Sequence, residues 1–77
     1  MPREIDLHGY KPHVVVRLIH ELYYRAYNSH FTGTISIITG IGVIQDTIMA
    51  ELDDLGVDYV IEAKNLGKII ITFDKGL

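Results

Sequence analysis

Two stretches of this chain repeat their apolar residues with the period of a helix, and four concentrate or alternate them as strands do. Val15, Leu18, Ile19, Leu22 and Ala26 stand at i, i+3, i+4, i+7 and i+11, which is one stripe of a helix. Pro12 suits the first position of that helix, where its missing N–H leaves no bond unmade. Arg17, Glu21, Tyr24, Arg25 and Asn28 make up much of the other side, with Glu21 and Arg25 at the i,i+4 spacing that favours opposite charges. The pattern ends near Asn28. A second helix is predicted from about Val43, with Ile44, Ile48, Leu52 and Leu55 on one side and Gly56 as its stop.

The strand signals fall between and around these helices. Residues 3–8 put Ile5 and Leu7 on one side and Asp6 and His8 on the other. Residues 34–39 are rich in β-branched side chains. Residues 57–63 set Val57, Tyr59, Ile61 and Ala63 on one face. Residues 68–73 form the last strand, after the turn Lys64-Asn65-Leu66-Gly67, and the final residues are expected to fray. The order is β-α-β-α-β-β. Right-handed crossovers that move the same way across a sheet put both helices on one face. The expected architecture is an α/β two-layer sandwich whose four-stranded mixed sheet has three parallel strands and an antiparallel last one. His8-Gly9, Thr39-Gly40-Ile41-Gly42 and the turn from Lys64 to Lys68 then become neighbours at one edge. On the open sheet face, Ser36, Ile38, Val60, Glu62, Ile70 and Thr72 share a side. Ile38, Val60 and Ile70 leave an apolar patch there, suited to a homodimer or another protein partner.

Composition narrows the picture. A length of 77 residues is one domain, and 48% hydrophobic content is that of a chain that buries a core. Cysteine is absent, so there is neither a disulfide framework nor a Cys-based zinc site. That fits a reducing, cytoplasmic compartment. No apolar run follows the charged start, so no secretory leader is expected, and none is long enough to span a membrane. The net charge of −3 argues against coating nucleic acid by charge alone.

The candidate chemistry gathers at the predicted edge. Asp6 and His8 form a carboxylate–imidazole pair at the end of a strand, where ligands of α/β sheets commonly sit. A histidine moves protons near neutral pH, and a neighbouring carboxylate can orient its ring. Spacing alone leaves a structural pair and a working pair equally open. A strand, then Gly40-Ile41-Gly42, then a helix start can hold an anion on backbone N–H groups, or can simply be a turn that needs positive φ. It is neither a dinucleotide fingerprint nor a Walker loop. Lys11, Lys64 and Lys68 could make this edge positive on an acidic protein, or serve solubility. Tyr10 lies beside Gly9 and could stack on a base. His13 and His20, two helical turns apart, and His30 do not resemble a metal site.

These residues carry a resemblance. Asp6-Leu7-His8-Gly9, followed by Ile38-Thr39-Gly40-Ile41-Gly42 opening a helix, resembles the two signatures of the small MutS-related (Smr) domain family. The element order and the glycine turn at Gly67 are similar too, and the likeness covers about residues 5–73. It implies a fold like the C-terminal domain of translation initiation factor three, and work on nucleic acid. Members nick DNA or cleave RNA, including messages on stalled ribosomes. The positions it marks are Asp6, His8, Thr39, Gly40 and Gly42. Many members have histidine where Thr39 stands and a basic residue where Ile41 stands.

The resulting expectation is a phosphodiester-cleaving endonuclease, with RNA favoured over DNA nicking. Asp6 and His8 are its acid/base pair. Gly9, Tyr10, Lys11, Thr39, Gly40, Ile41, Gly42, Lys64 and Lys68 contact phosphate or nucleic acid. No obligatory metal is expected, although Asp6 could hold a divalent ion, above all for DNA. The alternative is a catalytically weakened module that binds nucleic acid or a ribosome.

Overall fold

The apolar stripe of the first helical segment is the buried side of α1 (Pro12–Asn28). In the computed structural model, which describes residues 1–74, Val15, Ile19, Leu22 and Ala26 are buried and Leu18 is half-buried. The other elements are β1 (Glu4–Asp6), β2 (Gly33–Ile38), α2 (Val43–Leu55), β3 (Asp58–Ile61) and β4 (Lys68–Phe73). The fraying expected of the final residues concerns Lys75, Gly76 and Leu77, which lie outside the described residues.

The fold is an α/β sandwich on a four-stranded mixed sheet, in the order β1-β2-β4-β3. β1 runs parallel to β2, and β4 runs antiparallel to both β2 and β3. The first three strands therefore point the same way, but β2 and β3 are not neighbours. The chain folds back after β3 and inserts β4 between them. Composition explains the placement. β2 and β4 hold the isoleucines that most need cover, and a central strand has its backbone paired on both sides. Ile35 stands opposite Ile71 and Ile37 opposite Ile69. All four are fully buried, and they form one cluster with Leu7, Phe73 and the buried residues of α1 and α2.

Strand ends are shorter than the alternation suggests. β1 stops at Asp6, although the Leu7 N–H still donates to Ile38 O at 2.8 Å, and His8 lies in the turn beyond. β3 stops at Ile61, so Ile61 and Ala63, expected on the inner face, are exposed. The turn that starts when the Asn65 N–H reaches Glu62 O at 3.3 Å carries the chain off the sheet. On the other face Ile38 and Ile70 are half-buried and Val60 is 61% exposed. The expected patch is a row broken by polar neighbours, because Ile38 stands between Asp6 and Lys68.

Both helices end in the same way. Beyond α2, Gly56 has φ 70° and the Val57 N–H reaches back to Leu52 O at 3.0 Å. Beyond α1, His30 takes the left-handed position with φ 55°, and the Phe31 N–H reaches Ala26 O at 2.9 Å. This paired-bond closure satisfies helix carbonyls that would otherwise be left without donors. His20 joins the helices, its Nε2 lying 2.8 Å from Glu51 Oε2. Among the described residues no helix is long and apolar enough to cross a membrane.

Truncating a core isoleucine tests the buried face. Ile37→Ala is expected to cost about 2–5 kcal/mol through lost burial and a cavity. Val60→Ala, on the exposed side, should stay within about 0.5 kcal/mol of wild type. Urea unfolding of the two variants measures the contrast, and equal midpoints would contradict the placement.

Candidate active site

The turn after β1, the loop after β2 and the β3–β4 hairpin meet at one edge, as the element order requires. The carbonyl of Gly67 is their junction. It accepts the Thr39 N–H at 2.7 Å and the Gly40 N–H at 3.1 Å. The Thr39 hydroxyl lies 2.5 Å from Gly40 O and 3.1 Å from Gly67 O, and its single proton serves one of them. Gln45, buried in the first turn of α2, donates from Nε2 to Leu66 O at 2.5 Å. The backbones approach closely: a Cβ on Gly67 would lie 3.2 Å from Gly40 Cα, and one on Gly40 would lie 3.9 Å from His8 Cβ. Gly40 has φ 69°, so its loop needs glycine for conformation as well.

Asp6 and His8 stand on the outer side of this junction, with side chains 56% and 67% exposed. A short hydrogen bond joins His8 Nδ1 to Asp6 Oδ1, and the His8 backbone N–H donates to the same oxygen at 3.1 Å. These two bonds, the ring bond first, hold the Asp6 carboxyl below its usual range. An ionised carboxylate only accepts, so Nδ1 carries the proton in this bond, and in a neutral ring Nε2 is the acceptor left facing solvent. The pair is therefore set up as a carboxylate-oriented imidazole.

The glycine loop offers fewer donors than its sequence suggests. Thr39 is 3% exposed and turned to carbonyls, so it braces the loop. The Gly40 N–H is already engaged by Gly67. The N–H groups of Ile41, Gly42 and Val43 have no partner among the described residues, and no side chain caps α2. An anion would therefore meet the loop beyond Gly40, at the positive end of α2.

The basic residues divide. Lys68 Nζ lies 3.1 Å from Glu4 Oε1 on the sheet face, which spends its charge within the protein. Lys64 and Lys11 are exposed, and Lys11 precedes α1 beside the exposed Gly9 and Tyr10. The edge also carries apolar side chains. Ile41 is 78% exposed and Val43 68%, with Leu66 and Tyr10 exposed as well. A pocket of about 200 Å³ lies elsewhere, lined by Tyr23, Tyr27, Phe31 and Phe73 among others, at the opposite end of the central strands. No three His, Cys, Asp or Glu side chains among the described residues group closely enough to hold a metal ion.

Gln45 and Glu4 act on the residues of this edge without a motif to announce them, and the glycine turn at Gly67 gave no sign that its carbonyl would be the junction. Gln45 had one signal: it is a polar residue at i−3 and i−7 from Ile48 and Leu52, on the buried stripe.

Two measurements test the assembly. Gly67→Ala forces a methyl against Gly40 and is expected to cost about 1–3 kcal/mol in urea unfolding. The second follows from the lowered Asp6 carboxyl. A carboxyl lowered on folding stabilises above its unfolded range and loses that contribution as pH falls through its folded value. The stability difference between wild type and Asp6→Asn should therefore hold steady at neutral pH and shrink in acid, read from unfolding midpoints across the acid range. A difference that grows in acid would reverse the assignment.

No protein-family model matches the chain, nor does any curated protein or solved structure.

Proposed function

We propose that this chain is a small MutS-related type domain that cleaves RNA phosphodiester bonds. The observation that carries the reading is the Asp6–His8 pair, which leaves an unblocked ring nitrogen beside the glycine loop. His8 Nε2 takes the proton of a ribose 2′-OH. The 2′ oxygen bonds to phosphorus, the bond from phosphorus to the 5′ oxygen breaks, and that oxygen takes a proton from water. The product strand ends in a 2′,3′-cyclic phosphate. Asp6 stabilises the imidazolium that forms. The N–H groups from Ile41 to Val43 face the charge that develops on the phosphoryl oxygens. Lys64 and Lys11 supply what positive charge the edge has. A cytoplasmic location and a ribosome-bound message as substrate fit the same reading.

A second reading has its own observation. Ile41, Val43, Leu66 and Tyr10 make the edge apolar, and Glu4 holds Lys68 away from it. Such an edge suits a module that binds an RNA or a ribosome-like partner without cleaving. DNA nicking is a third reading with different chemistry, since DNA has no 2′-OH: water would be the nucleophile, and Asp6 would help hold a divalent ion that activates it.

End-labelled RNA, an RNA with a single 2′-deoxy substitution at the cleaved position, and supercoiled DNA separate these readings. Wild type is expected to cut the first and spare the second, and His8→Ala to lose about a hundredfold or more in rate. Equal background from wild type and His8→Ala on every substrate, with RNA still bound, would leave the binding module standing.

A further inference from the structure

β3 is an edge strand with backbone groups open to a further strand. β4 is its sole strand neighbour among the described residues. The Glu62 N–H donates to Lys68 O at 2.9 Å, which sets the phase of the ladder. In an antiparallel pair, bonded residues alternate with residues whose backbone points away. Val60 and Asp58 therefore bond toward β4, and the N–H and C=O of Tyr59 and Ile61 face outward. Edge strands are commonly blunted by shortness, charge, proline or a bulge; β3 is four residues long and carries Asp58, but contains no lysine or proline. It is also held firmly in place. The Tyr59 hydroxyl donates to Asp53 Oδ1 at 2.9 Å, so the edge is fixed to the end of α2.

Charge says what fits there. No lysine or arginine occurs between Arg25 and Lys64, while Asp46, Glu51, Asp53, Asp54, Asp58 and Glu62 all fall in that stretch. On the outer face the side chains run Asp58 and Val60 in β3 and then Glu62 just past its end, an acidic–apolar–acidic series with Val60 exposed and the Glu62 carboxylate accepting the Lys64 N–H at 3.3 Å. A second copy is disfavoured in the register that matches this series to itself. Antiparallel pairing of two β3 strands centred on Val60 sets Asp58 opposite Glu62 twice, and like charges directly opposite destabilise a sheet. The other edge, β1, offers Glu4 and Asp6, which are acidic too.

We propose that the β3 edge docks an extended segment of a partner protein that alternates basic, apolar and basic side chains, added as a fifth strand. Backbone bonds from Tyr59 and Ile61 supply affinity, and Asp58 and Glu62 select the basic residues. Tyr59 and Ile61 take no part in the chemistry at the loop edge, although Glu62 touches that edge through its bond from the Lys64 N–H.

A capped peptide with lysine, valine and lysine on one face and threonine between them is the probe, titrated into isotope-labelled chain. Saturable amide shifts are expected, largest at Tyr59, Val60 and Ile61. N-methylation of the peptide nitrogens that face the strand should abolish them. Replacing both acids, Asp58→Lys with Glu62→Lys, should weaken binding about tenfold. Equal binding of a glutamate version, or of the N-methylated peptide, would overturn the proposal. So would sedimentation as a dimer whose interface maps to β3.

Discussion

The Gly67 carbonyl holds the candidate edge together. It binds two successive backbone N–H groups of the β2 loop, and the Thr39 hydroxyl stands beside it. The bond exists because β4 runs up the middle of the sheet, next to β2. Had β3 taken that place, Gly67, just before β4, would have stood one strand further from Thr39. The backbone contact at Gly40 then sets the loop against His8. Core packing, through the pairing of Ile37 with Ile69, thus decides where a surface histidine stands.

That arrangement has an electrostatic consequence. The polar groups nearest the junction are largely used up in building it. Thr39, Gly40 and Gln45 all bond to carbonyls, and Lys68 is drawn to Glu4. What faces solvent is the imidazole of His8, the N–H groups at the start of α2, two exposed lysines and several apolar side chains. An anionic substrate would be held by neutral dipoles more than by charge. Binding of that kind is comparatively insensitive to salt, since few fixed charges displace counterions.

The two sheet edges divide the labour differently. β1 is short, and its C-terminal end carries the Asp6–His8 pair. β3 is bounded by carboxylates and turned to solvent. The chain is acidic overall, but the acid is concentrated along α2 and β3, while Arg3, Lys11, Arg17 and Arg25 belong to its first third. Attraction to a polyanion and attraction to a basic segment can therefore coexist on one small domain.

By itself the sequence determined the elements. The 3.6-residue stripe of α1, its Pro12 start, the Gly56 stop and the isoleucine-rich strands are local, short-range properties, and each appears where the pattern placed it. The sequence spacing also put Asp6 near His8, but the contact is made by the turn after β1, where the His8 backbone N–H and ring both reach the Asp6 carboxylate, and not by strand alternation. The Gly56 helix end was legible because glycine advertises positive φ, whereas His30 reaches the same conformation without a residue type that announces it. Only the tertiary structure decided the strand order, and with it the bonds to Gly67, the bracing role of Thr39 and the burial of Gln45. It also decided that Lys68 belongs to Glu4 and that β3 is an open edge. These depend on which strand lies next to which, a choice made by the burial of side chains far apart in sequence, and no local spacing encodes it.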